Sequence, residues 1–192
     1  MMIKSKIQFS KLLFEFISVS FAVLLALFVN QWREDRSNSD LADQAIHNIK
    51  EEFIENKGLM IELIPNHKLL LTELNNYTII EGNEAAIKKS IESLDITLIN
   101  SSAWEMAKVT NVVFYINYDD VNNLAKVYNL QSYYESMVKQ YLLSNAVKNQ
   151  KNDAEDELGN TKQFLTSIIP IEEDLQMYYD LILTEILKNK NE

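Results

Sequence analysis

Cysteine is absent from the 192 residues, so no disulfide, thiolate nucleophile or cysteine-ligated zinc site can form. That absence suits an exported bacterial domain. Glycine occurs three times and proline twice. β-rich and α/β chains need turn residues far more often, so the scarcity argues for long helices and an all-α fold. An excess of basic charge is missing as well, with 18 basic against 28 acidic side chains. Residues 1–36 hold five of the basic and three of the acidic groups, which leaves 13 and 25 beyond them, a net charge of −12. No basic face for nucleic acid is expected from that balance. Nor does it favour an outer domain lying flat on anionic lipid. No G-x-S-x-G, Walker loop, H-E-x-x-H or G-x-G-x-x-G occurs. No catalytic residue and no cofactor is assigned, and the chain reads as a non-enzyme.

What is present is one apolar run, Leu12 to Trp32. From Phe16 to Val29 it carries no charge, and its only polar side chains are Ser18 and Ser20. A helix rises about 1.5 Å per residue, so roughly 20 residues cross a hydrocarbon core of about 30 Å. A helix can cross alone because its backbone donors and acceptors are satisfied within the segment. A cleaved leader would share the basic start, but the exit Ala26 to Trp32 offers no small-x-small cleavage site. A buried or interfacial helix would be apolar on one stripe, whereas this run is apolar all round.

The flanks predict orientation. Lys4, Lys6 and Lys11 precede the run, and Arg33-Glu34-Asp35-Arg36 follows it. Basic residues collect on the cytoplasmic side, which puts residues 1–11 inside as a basic tail, 12–32 across the membrane and 33–192 outside. The expected location is a bacterial inner membrane, with the bulk of the chain periplasmic or extracellular. Glu15 lies one turn after Lys11 and snorkels toward the same interface. Asn30 and Trp32 mark the far interface, where an aromatic ring is expected.

Beyond residue 33 the apolar spacing is helical. Leu41, Ala45, Ile46, Ile49, Phe53, Met60, Leu63 and Ile64 recur at three and four. Ser37-Asn38-Ser39-Asp40 is the weak point of this helix, and Pro65 is expected to kink it before Leu69, Leu70, Leu74 and Tyr77. Glu81-Gly82-Asn83 is the clearest turn, and Ala85 to Leu94 a short helix. Asp95 to Asn100 is ambiguous, with β-branched residues but nothing nearby to pair with. Ser102-x-x-Glu105 has the form of a capping box. Val112 to Ile116 is read as a buried helical turn. Asp119 or Asp120 is expected to cap a long helix reaching about Asn149, with a seam of Val121, Leu124, Tyr128, Gln131, Tyr134, Val138, Tyr141, Leu142 and Asn145. Lys148 to Asp156 is a highly charged connection or the start of a helix. A further helix is expected to break at Pro170, and Ile171 to Lys190 closes the chain, with Glu172, Glu173 and Asp174 as its acidic first turn. The sum is an N-terminal transmembrane helix followed by an antiparallel bundle of four or five helices.

Two histidines invite a metal reading. His47 and Glu51 share a helix face, but no third or fourth ligand is spaced to join them, so no metal site is assigned. His67, after Pro65-Asn66, suits a hydrogen-bonded core histidine or a ligand contact. Trp104 and the tyrosines of the middle third suit core packing or an aromatic anchor for a partner, with Tyr133, off the seam, as the exposed candidate.

Leu24 to Asp35, LLALFVNQWRED, resembles the anchor of a family of uncharacterised bacterial single-pass membrane proteins. In that family the anchor ends in an Asn-x-Trp-x-Glu element, here Asn30, Trp32 and Glu34, and a helical outer domain follows. Ser102 to Lys108, SAWEMAK, and the later Tyr118-Asp119 are similar to the same family. The resemblance implies topology and an all-α outer domain, and no activity. The leading expectation is a membrane-anchored helical interaction module, an accessory subunit of a membrane complex or a homo-oligomer. The alternative is a periplasmic small-molecule sensor that signals through a partner, with its pocket near Trp104 and His67.

Overall fold

The computed structural model describes residues 3–77, 84–148 and 154–189. Among them every regular element is helical. Five α-helices follow one another: α1 Ile3–Asn76, α2 Glu84–Glu92, α3 Ser102–Val109, α4 Tyr118–Lys148 and α5 Ala154–Asn189. A 3-10 turn, Val112–Tyr115, lies between α3 and α4. The turn expected at Glu81-Gly82-Asn83 and most of the connection after Lys148 lie outside the described residues.

The 74 residues of α1 make a rod about 110 Å long. It starts at Ile3, so the expected N-terminal tail is largely helical. It runs unbroken through Ser37-Asn38-Ser39-Asp40, through Gly58 and through Pro65. None of residues 11–41 is buried, and Ala42 is the first core residue after them. From there Ile49, Phe53, Met60, Leu63, Ile64, Leu70 and Leu74 line the buried stripe. Leu69 falls off that stripe and is exposed.

α5 packs mainly on α1 and α4. Lys57 pairs with Asp180, and Lys68 with Glu173 at 2.6 Å, so α5 descends as α1 rises. On α4, Gln131 meets Tyr179 and Tyr141 meets Thr161, again antiparallel. The three long helices therefore form an up-up-down core. Leu124, Val127, Tyr128, Gln131, Tyr134, Val138 and Tyr141 are the buried face of α4. Val127 belongs to that face although it was outside the expected seam, and Leu142 turns to solvent.

Four local expectations are corrected. α5 does not break at Pro170. Both prolines are exposed, and so are Ile61 and Thr166, the residues four positions earlier whose carbonyls lose their donor. An orphaned carbonyl on the wet face is satisfied by water, so the helix persists. The cap of α4 is Asn117, whose Oδ1 accepts from the Asp119 N–H at 2.8 Å, while Asp119 and Asp120 sit in the first turn. Ser102 does not cap α3; the preceding Ser101 is the cap residue and makes no side-chain cap bond. The run Val112 to Ile116 buries only its two ends, leaving Phe114 and Tyr115 exposed.

Candidate functional site

Two features stand out from ordinary helix packing. The first is the exposed N-terminal part of α1. Leu12, Phe14, Phe16, Phe21, Leu24, Phe28 and Trp32 all face outward. Exposed apolar surface of this extent marks a membrane or protein contact. α1 is the one helix among the described residues long and apolar enough to cross a membrane, and its apolar part lies near the N-terminus. The helix continues far beyond the length a bilayer needs. Lys11, Glu15, Asn30 and Trp32 are all exposed along this rod. Gln31 donates to Asp35 at 2.8 Å, one turn on.

The second feature is a buried polar clasp around residues 94–101. This segment has no regular secondary structure, so its peptide groups have no ladder to join. Side chains from the helices take the ladder's place. His67 Nε2 donates to the Asp95 carbonyl at 2.7 Å, and Tyr134 Oη to the Thr97 carbonyl at 2.9 Å. Asn56 Nδ2 donates to the Asn100 carbonyl at 2.7 Å, and the Asn100 N–H donates back to Asn56 Oδ1 at 2.9 Å. Glu52 then accepts from the Ala103 N–H at 2.7 Å, satisfying an orphan donor at the start of α3. The Ser102 N–H goes to Asn100 Oδ1 at 3.0 Å. The serine–glutamate box expected there is thus replaced by a glutamate reaching across from α1.

The spacing of the clasp is dictated by geometry. His67 and Asn56 are 11 residues apart on α1, about 16 Å of helix. Asp95 and Asn100 are five residues apart, and five extended residues also span about 16 Å. The segment must therefore run nearly straight, antiparallel to α1.

Each clasp residue is further tied. Tyr128 Oη donates to Glu52 Oε1 at 2.5 Å, stacks on Trp104 with ring centroids 5.0 Å apart, and tilts against Phe53. Burial pushes the Glu52 carboxyl above the ordinary carboxylate range, and its bonds from Tyr128, Ala103 and Ser102 offset only part of that. Burial raises the phenols of Tyr128, Tyr134 and Tyr179, which stay neutral.

His67 is 2% exposed. Because the Asp95 carbonyl can only accept, Nε2 carries a proton. Both Glu172 oxygens lie 3.0 Å from Nδ1, and Oε2 has the hydrogen-bond geometry while Oε1 has no hydrogen-bond partner. Burial works to lower the imidazole pKa, but the Glu172 hydrogen bond and charge, with the Asp95 carbonyl, outweigh it and raise it above its usual value. Glu172 was read as a first-turn acid. It lies instead inside α5, fully buried, with its carboxyl on the histidine.

His67 and Trp104 do not share a cavity. His67 lines a groove of about 180 Å³ with Asn66, Leu70, Glu73 and Asp95. Trp104 lines another of about 230 Å³ with Glu105, Lys108, Tyr128 and Glu135. Tyr133 is 55% exposed and contributes to neither. His47 and Glu51 stay on the solvent side of α1. Among the described residues no three His, Asp or Glu side chains gather as a metal centre would need.

No family model, curated protein or solved structure matches this chain.

Asn56 and Glu172, which sequence reasoning missed or misread, left a trace in the sequence, as did His67, which it had singled out. The buried stripe of α1 skips from Phe53 to Met60, and Asn56 fills the gap. His67 fills the next, between Ile64 and Leu70, and Glu172 fills the gap between Ile168 and Leu175 on α5. A polar residue standing at an apolar register position was the available signal.

Proposed function

We propose that this protein is a non-enzymatic, membrane-anchored helical interaction module, an accessory subunit of a membrane complex or a homo-oligomer. The observation that carries the reading is α1, one helix from the exposed apolar stretch into the core of the bundle. Residues 12–32 would span the membrane once, and the bundle would then stand at a set height and angle. Lys4, Lys6 and Lys11 before the span support a cytoplasmic N-terminus and a periplasmic bundle. The likeness of Asn30, Trp32 and Glu34 to the anchor of bacterial single-pass proteins supports a bacterial inner membrane. A docking role suits a core in which most polar side chains are bonded internally, Gln131 Oε1 and Glu172 Oε1 being the exceptions among the described residues. Both ring nitrogens of His67 are occupied, which weighs against the alternative of a small-molecule sensor reading that histidine.

The test is purification of the tagged full-length protein in mild detergent, with mass spectrometry and sizing of what stays bound. A stoichiometric protein partner or a defined oligomer is expected. A lone monomer would overturn the reading. Deleting two residues within Ser37–Asp40 turns the bundle by about 200°, whereas deleting four turns it by about 40° net. Assembly that depends on the rod should suffer more from the first.

A further inference from the structure

The bundle has an apolar corner at the end facing the proposed span. α3 descends toward that end: Ala103 bonds Glu52, and Ala107 and Val112 then line a groove with Leu41 and Ala45. α4 climbs away from it: Val121 packs, like Ala45 and Ile46, against the cluster of Ala42, Val112 and Ile116, and Tyr128 meets Glu52. The hairpin between them, residues 109–118, is therefore the lowest part of the bundle on α1. Val112 and Ile116 pin it to Ala42, the first buried residue of the rod. Asn111, with φ of 59°, makes the left-handed bend that starts the turn.

Beside the exposed Thr110, Asn111 and Asn117, this hairpin leaves four large apolar or aromatic side chains outside. Val109 is 77% exposed, Phe114 79% and Tyr118 81%, with Tyr115 half-exposed beside them. The groove above it, about 440 Å³, opens between Leu41 and Met106, both exposed. A three-residue cluster fixes the hairpin to the same helix that carries the apolar run.

Resting on the membrane-anchored reading, we infer that the hairpin 109–118 is a foot that dips its apolar side chains into the lipid interface around the span. Trp32 and Ala42 are ten residues apart, about 15 Å along the rod. The headgroup layer covers roughly 5–8 Å of that rise, taken as half the difference between the full bilayer and its core. The hairpin is pinned at the level of Ala42, and an aromatic side chain pointing toward the span would reach several ångströms below it. A tilt of about 20° lowers the side of the bundle toward which the rod leans. Tyrosine at headgroup depth is the placement such rings favour. Asp119 and Asp120 flank the foot, so its attraction is apolar and suits zwitterionic rather than anionic lipid. With α1 as the first contact and the foot as the second, the bundle is held on two points and cannot swivel about the rod.

The absence of cysteine makes the test direct. Single-cysteine forms of the full chain, Phe114→Cys and Tyr118→Cys, are labelled with an environment-sensitive fluorophore in zwitterionic vesicles. Leu25→Cys reports the span. Leu69→Cys, exposed and about 40 Å further up the rod than Ala42, reports the aqueous end. The foot predicts that lipids spin-labelled near the headgroup quench positions 114 and 118, that lipids spin-labelled deep on the acyl chain quench position 25, and that neither quenches 69. Quenching at 25 with none at 114 and 118 would overturn the foot and leave the span standing. A blue-shifted but unquenched label at 114 would mean a protein contact there and would overturn the foot as well. No quenching at 25 would overturn the span itself, and the foot with it.

Discussion

The side-chain amide of Asn56 pairs with both backbone groups of Asn100, as one peptide pairs with another in an antiparallel ladder. Asn56 is fully buried on α1, and Asn100 lies 44 residues later at the end of a segment with no regular structure. The pairing closes a loop that neither helix propensity nor a β-sheet would close. It fixes where α3 begins, and with it the turn that reaches back to Ala42.

Replacing Asn56 with alanine removes two part-buried hydrogen bonds and leaves an Asn100 N–H and C=O that only water can reach. The expected loss is about 1–3 kcal/mol of unfolding free energy. Denaturant titration of the full chain in detergent, followed by the fluorescence of buried Trp104, measures it. Asn56→Asp keeps an acceptor for the Asn100 N–H but offers no donor to its carbonyl, so it should also destabilise. A change within experimental error in both variants would mean the clasp contributes nothing.

The His67–Glu172 pair predicts a pH dependence of stability. The imidazole titrates above its ordinary 6.5 when folded, so the folded state holds the proton more tightly than the unfolded one. Its contribution is full below about pH 6.5 and is lost as pH rises through the folded value. Glu52, raised above 4.5, acts with the same sign in a lower window, between 4.5 and its folded value. Unfolding midpoints compared at pH 6 and above pH 8 should favour the acid side, and His67→Gln should flatten that difference. A wild-type protein more stable on the basic side, with His67→Gln unchanged in slope, would contradict the pairing.

Gly58 offers a stabilising change. It is exposed inside α1, and a Cβ built on it meets no atom within 4 Å. Alanine there should raise stability by roughly 0.5–1 kcal/mol, through helix propensity alone. A destabilised Gly58→Ala would mean that α1 is not a regular helix at that point.

The helices were legible wherever apolar residues recur at three and four, as from Ile49 to Leu74 and from Leu124 to Tyr141. The clasp was not, because it joins residues far apart in the chain: Glu52 with Ala103, His67 with Asp95 and Glu172. A sequence read locally assigns Glu172 to a helix dipole and Ser102 to a cap, since both offer the right chemistry over one turn. The folded chain uses a partner 51 residues away for the Ala103 N–H. Proline was over-read for a related reason. Pro65 and Pro170 would break helices whose orphaned carbonyls were buried, and their exposure is settled by packing that the local pattern does not contain.

The continuity of α1 across Ser37–Asp40 is the central claim, and a distance measures it most directly. Leu25 and Asp43 are 18 residues apart, five full turns of one helix face and about 27 Å. Both are exposed, and the chain has no native cysteine to remove before spin-labelling Leu25→Cys with Asp43→Cys. Double electron–electron resonance on the full chain in lipid nanodiscs should return one narrow distribution centred near that distance. A broad or multiple distribution would place a joint between membrane and bundle and contradict the rod.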